Sequence, residues 1–178
     1  MTIKALGIEE LELVREVCVT LRQRALIECL YATGCRLSEV RNLNVSDVNF
    51  HKMSTKVFGK GGKERIVYLS FKKVYHLKRY LNSRQNNCEC KALFVSERKP
   101  YRRTINRSIE REINRVGEMA NLEKGLSPHW FIRTLATLLL DSGAELAAVQ
   151  AILGHEDPDT TLCYAKCKGN RSVQEGIV

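Results

Sequence analysis

The chain is expected to fold as a mainly α domain carrying a small antiparallel β-hairpin, an α+β class. Three observations lead there. Apolar residues recur at helical spacing in several stretches of the 178 residues. One glycine-dense segment, "STKVFGKGGKERIVYLS" at 54–70, replaces that rhythm with two β-rich runs around a turn. Helix punctuation, a Gly34 stop and a Ser127-Pro128 start, falls at the ends of periodic stretches. A chain of this length with 44% hydrophobic residues can bury an ordinary core as one domain.

Taken in order, Leu11, Val14 and Val17, then Ala25, Leu26, Cys29 and Leu30, place two helices within 8–33, and Gly34 ends the second as a left-handed cap. A short helix covers "LSEVRNL", and "VSDVNF" leads out of it toward the hairpin. Helix returns at 71–85, "CKALFVS" adds a short strand at 91–96, and Thr104 to Ala120 forms an arginine-rich helix. Ser127 as N-cap and Pro128 as first helical residue open an apolar helix that stops by Gly143. Further helices fit 145–152 and 158–166; the tail after them lacks periodicity, and no internal repeat is visible.

Composition narrows the function classes. Lys and Arg number 29 against 20 Asp and Glu, a net charge of +9, which suits a nucleic-acid partner but equally a solvated basic surface. No apolar run is long enough to span a bilayer and the first residues do not read as a leader, so the expectation is a soluble cytoplasmic protein. Seven cysteines, odd in number and irregular in spacing, argue for reduced thiols. Cys88 with Cys90, and Cys163 with Cys167, make close pairs that lack the further ligands of a zinc site, so no metal is expected.

Five features then stand out along the chain: "ATGCRLSEVRNL" with Arg36, "FGKGGKERIVYL" with Lys60, "SPHWFIRTLATLLL" with His129, "LGHED" with His155, and Tyr164. Singly, each has an ordinary structural explanation. Tyr164 can be a half-buried helix tyrosine, His129 a second-turn helix residue, His155 a partner for terminal carbonyls, and Arg36 a local partner for Glu39. Three glycines at 59, 61 and 62 need only make a loose turn. Together, in order and at these spacings from about residue 8 to residue 168, they resemble the catalytic domain of the tyrosine recombinases, the phage-integrase and Xer-like family.

That resemblance implies a role for each matching position. Arg36 binds the scissile phosphate, Lys60 protonates the leaving 5′ oxygen with Lys63 as the weaker candidate, His129 and His155 assist, and Tyr164 is the nucleophile. The chemistry explains the set. A phosphodiester repels an incoming oxygen and expels a poor alkoxide, so guanidinium forks must pair with its oxygens and an acid must protonate the leaving group. Attack by a phenol stores the broken bond as a phosphotyrosine, and rejoining then needs neither ATP, metal nor organic cofactor.

The implied function is a site-specific DNA recombinase or integrase acting on double-stranded attachment or recombination sites. It implies a monomer in solution and a homotetramer on DNA, with the tail at 168–178 reaching a neighbouring protomer. The chain departs from the family twice. The second motif normally reads His, two residues, Arg, yet Ile132 stands where the arginine belongs, and Arg133, one position later, is the candidate substitute. The expected consequence is slow or absent cleavage unless Arg133 compensates. The family's N-terminal DNA-clamping domain is also absent from this sequence, which predicts weak, salt-dependent binding carried by phosphate contacts. Ile132 supports an alternative, a catalytically degenerate DNA-binding regulator of the same fold; a type IB topoisomerase is the third reading, against which the compact "LGH…Y" spacing argues.

Overall fold

Two helices begin the chain as expected, α1 (Ile8–Glu16) and α2 (Leu21–Thr33). The computed structural model describes residues 5–84, 89–123, 125–154 and 161. Thr20 and Gln23 cap α2 reciprocally: the Thr20 hydroxyl accepts from the Gln23 N–H at 3.0 Å, and the Gln23 side chain accepts from the Thr20 N–H at 3.2 Å. Most of α2 is buried, with Ala25, Leu26, Ile27 and Leu30 at the centre of the main core.

Gly34 ends α2 at φ 56°, ψ 22°, the predicted left-handed cap. Its lack of a side chain has a second use, because a Cβ there would lie 2.5 Å from Leu153 Cδ2 and 3.0 Å from Leu135 Cδ2. Two later helices therefore seat on the turn that leads to Arg36. Gly34→Ala is expected to lower stability by about 2–4 kcal/mol, combining left-handed strain with overpacking, and urea unfolding at unchanged m-value would measure it.

Helix α3 (Leu37–Asn42) is short, as read from the sequence, and a 3-10 turn at Val45–Asp47 follows. The hairpin is part of a slightly larger sheet: β1 (Val48–Asn49), β2 (Ser54–Phe58) and β3 (Glu64–Tyr68) pair antiparallel in the order β1-β2-β3. In β2 and β3 the register sets Val57 opposite Arg65 and Phe58 opposite Glu64. The turn between them is a 3-10 segment, Lys60–Gly62.

Helix α4 (Phe71–Ser83) packs on α2 through Val74, Leu77 and Tyr80. The strand expected at 91–96 is not one. Its buried run, Ala92 to Val95, is a connector with two isolated bridges, Asn44 to Ala92 and Val95 to Arg103. Other partners satisfy its backbone: Leu93 N–H donates to the Leu43 carbonyl at 2.8 Å, and the Arg84 guanidinium donates to the carbonyls of Cys90, Ala92 and Leu93. Helix α5 (Asn106–Met119) buries Ile109, Ile113 and Val116 at helical spacing and turns its arginines outward.

Helix α6 (Pro128–Asp141) starts where predicted, with Ser127 at the cap position and Pro128 at the first turn, although the Ser127 hydroxyl makes no capping bond. Helix α7 (Leu146–Leu153) ends at Gly154, again left-handed at φ 64°. Ile132, Ala136 and Leu140 on α6 meet Val149 and Leu153 on α7 in a separate apolar cluster. The helix expected at 158–166 and the tail at 168–178 lie outside the described residues, apart from the buried Thr161.

A buried charge cluster fastens α1 to α2. Glu28 is fully buried and accepts from Arg15 Nη2 at 3.1 Å and from Arg24 Nε at 3.0 Å. Arg15 also pairs with Glu12 and lies 5.1 Å above the Tyr31 ring, which Lys73 approaches at 4.8 Å. No helix among the described residues is long and apolar enough to cross a membrane.

Candidate active site

Arg36 is the N-cap residue of α3, two positions beyond the Gly34 turn. Its backbone N–H donates to Glu39 Oε2 at 2.8 Å, half of a capping box. Its side chain is 43% exposed, and the nearest guanidinium nitrogen stands 3.6 Å from Glu39 Oε1, beyond a hydrogen bond. The local pairing with Glu39 is thus loose.

A residue to which the sequence reading gave no role fills that place. Arg65 on β3 grips Glu39 with both ends of its fork, Nη1 to Oε1 at 3.0 Å and Nη2 to Oε2 at 2.8 Å. Its Nη2 also reaches the Cys35 sulfur at 3.6 Å. Burial works to raise the Glu39 carboxyl, but the Arg65 hydrogen bonds, the Arg36 N–H and the two guanidinium charges outweigh it and hold the group below the usual glutamate value. Burial pushes the Cys35 thiol up to about 12, so it stays protonated and inert despite sitting beside Arg36.

The Glu39–Arg65 pair lies where distant parts of the chain converge. A Cβ on Gly59, the residue before Lys60, would sit 3.5 Å from Glu39 Oε1 and 3.6 Å from Arg65 Nη1. A Cβ on Gly154, the residue before His155, would sit 2.8 Å from Arg65 Nη1. The hairpin turn, the start of α3 and the end of α7 therefore touch one ion pair, although they are remote in sequence. Lys60 itself is exposed at the start of the turn, as is Lys63.

His129 occupies the first turn of α6, directly after Pro128, rather than the second turn, and is exposed. Ile132 is 5% exposed and packs against α7 in the α6–α7 cluster. That contact explains why an apolar residue is accommodated there: Ile132, Ala136 and Leu140 form one stripe at four-residue spacing along α6. Arg133, next to this stripe, is half-buried, and its side chain makes no hydrogen bond or ion pair among the described residues. His155 and Tyr164 lie outside the described residues, so the Gly154 contact marks only where the chain enters that segment.

Strand alternation was the signal for Arg65. In β3, Glu64, Ile66 and Tyr68 are exposed while Arg65 and Val67 take the other face. An arginine on the inward face of a strand requires a buried acid, and Glu39 is that acid.

Away from this site, Arg98, Arg102, Arg107, Arg111 and Arg115 line an open groove along α5 and the connector before it. None of the five makes an ion pair among the described residues, whereas Arg22 in the same groove is bound to Glu112. Glu97, Glu110 and Glu118 also line it, so the groove is mixed in sign but predominantly cationic. No group of three or more His, Cys, Asp or Glu side chains among the described residues could hold a metal.

A mostly helical domain with a three-stranded antiparallel sheet is the catalytic-domain fold of the tyrosine recombinases, and here the Arg36 helix, the lysine turn and the end of α7 at Gly154 abut one ion pair. The chain belongs to the phage integrase family, whose model matches residues 7–171. It is 36% identical over 156 residues to tyrosine recombinase XerC of Pelobacter propionicus, covering 86% of this chain and 50% of that protein. It is 39% identical over 148 residues to tyrosine recombinase XerD of Staphylococcus epidermidis, covering 80% and 49%. The chain thus spans about half the length of these curated relatives. Among solved structures, XerA recombinase superposes with a TM-score of 0.87 at 30% identity, over 98% of this chain and 66% of that one. XerH recombinase bound to its difH substrate before cleavage gives 0.77 at 25% identity, over 92% and 50%.

Proposed function

We propose that this chain is the catalytic domain of a site-specific DNA recombinase or integrase, which cuts and rejoins strands through a 3′-phosphotyrosine. The convergence of the Arg36 helix, the Lys60 turn and the end of α7 at Gly154 on the Glu39–Arg65 pair carries this reading. In it, Arg36 pairs with the non-bridging oxygens of the scissile phosphate, and His129 donates to the charge that builds there. The Tyr164 phenol oxygen bonds to phosphorus as the bond from phosphorus to the 5′ oxygen breaks. His155 takes the phenol proton and Lys60 gives one to the departing oxygen. Reversal of the same steps rejoins a strand without another energy source.

The arginine groove along α5 supplies the complementary element, a row of guanidinium groups without ion pairs among the described residues and suited to a phosphate backbone. Double-stranded DNA is the proposed partner, and the similar XerH site-specific recombinase is seen bound to its difH substrate. The tail at 168–178 is proposed to dock on a neighbouring protomer of a homotetramer on DNA, with the free protein monomeric and cytoplasmic.

Trapping tests the activity. The protein, mixed with a pool of nicked duplexes of randomised sequence, is expected to form a denaturation-resistant adduct whose recovered DNA converges on one site. Tyr164→Phe is expected to abolish the adduct while leaving DNA binding intact. Binding without any adduct would instead support the degenerate regulator, for which Ile132 is the specific observation; relaxation of plasmids without site preference would support a topoisomerase.

A further inference from the structure

Glu39 presents a problem that the reading of Arg36 as a phosphate ligand does not itself solve. A carboxylate only 5% exposed, one helical turn from Arg36, is a strong competitor for the guanidinium that must stay free for the phosphate. We propose that Arg65 is a positioning residue: its fork occupies both oxygens of Glu39 and so leaves the Arg36 guanidinium released and aimed outward. The inference rests on the reading of Arg36 given above.

Three observations carry it. First, the two arginines are held unequally. Arg65 makes bidentate contacts of 2.8 and 3.0 Å with its side chain 14% exposed, whereas Arg36 stays at 3.6 Å with 43% exposure. Second, Arg65 cannot easily leave. It projects from the inward face of β3 opposite the fully buried Val57, and Gly154 closes over its guanidinium, where a Cβ would come within 2.8 Å of Nη1. Third, Glu39 retains a separate task that keeps it in place, since its Oε2 accepts the Arg36 backbone N–H and caps α3. The acid is needed for the local fold, and a second cation is needed to keep that acid from capturing the first.

Removing the charge of Arg65 should therefore let Arg36 fold back onto Glu39, and removing the charge of Glu39 as well should release it again. Arg65→Met keeps the aliphatic stem, and Glu39→Gln keeps an oxygen to accept the capping N–H. The primary readout needs no DNA: solvent exchange of the Arg36 Nε–Hε proton, followed by NMR in the free protein. Exchange is expected to be fast in wild type, slower by about tenfold in Arg65→Met as a charge-assisted hydrogen bond forms, and fast again in Arg65→Met/Glu39→Gln. Should Arg65→Met not fold, Arg65→Lys serves: a lysine reaches one oxygen of Glu39 and leaves the other open, so Arg36 exchange is expected to slow relative to wild type and to recover in Arg65→Lys/Glu39→Gln.

Unchanged exchange in folded Arg65→Met or, where that variant does not fold, in Arg65→Lys, or no recovery in the corresponding double variant, would each overturn the proposal. Phosphotyrosine trapping is the second measurement, with adduct formation falling in Arg65→Met and recovering in the double variant at matched thermal stability. A wild-type protein with a fast-exchanging Arg36 but no adduct would count against the recombinase reading while leaving the role of Arg65 standing.

Discussion

Ile132→Arg is expected to speed adduct formation by about a hundredfold, since one donor aimed at a developing oxyanion is typically worth that much or more. The site around it makes the exchange plausible chemically and awkward structurally. Ile132 packs in the α6–α7 cluster that also holds Leu153, the residue before Gly154. An arginine stem can follow that contact and carry its fork toward the end of α7. The same replacement disturbs the α6–α7 cluster, so a loss of about 1–3 kcal/mol in stability is expected alongside the gain in rate. Arg133→Ala separates the explanations. With Arg133 idle, the variant cleaves as wild type does and Ile132→Arg gains in full; with Arg133 already serving the phosphate, Arg133→Ala is slower and Ile132→Arg gains little. Rates on a nicked suicide duplex, compared at matched fractions folded, measure both.

Glu28→Ala is expected to cost about 3–5 kcal/mol, because it leaves the buried Arg15 guanidinium without its main counter-charge. That is a large share of the stability of an ordinary domain. Replacing Arg15, Arg24 and Glu28 together with methionine should cost less than Glu28→Ala alone, since no unpaired charge then remains in the interior. Denaturant unfolding of the two variants distinguishes a cluster that contributes net stability from one that is merely compensated. Glu28 stands on α2, the helix whose C-cap is Gly34, two residues before Arg36.

Most helices were legible because an amphipathic helix repeats its signal over several turns, and α5 shows this with Ile109, Ile113 and Val116. Gly34 was legible for one of its two reasons: the left-handed cap follows from residue type, whereas contact with Leu135 and Leu153 arises only when α6 and α7 pack. Strand β1 is two residues long and carries no period to detect. The run at 91–96 misled because an uninterrupted apolar stretch has the same composition whether it lies in a sheet or in a buried connector. Here guanidinium and backbone donors from elsewhere replace the ladder.

The site divides similarly. Arg36, Lys60 and the LGH turn stand out by order and spacing, and the chain positions beside them meet in space. The vacancy at Ile132 is visible in sequence, but its compensation by contact with α7 is not, since Val149 and Leu153 come from the next helix. Arg65 was hidden for another reason: "KERIVYL" reads as a hairpin strand, and only counting alternate residues from Val67 places the arginine inward.

The Glu39–Arg65 contact makes the strand and the short helix a matched set for protein engineering. A chimera whose imported hairpin lacked an arginine at position 65 would leave Glu39 buried without its counter-charge. Grafts should therefore exchange residues 36–68 as one cassette, with Gly154 kept as the recipient's socket for the incoming guanidinium.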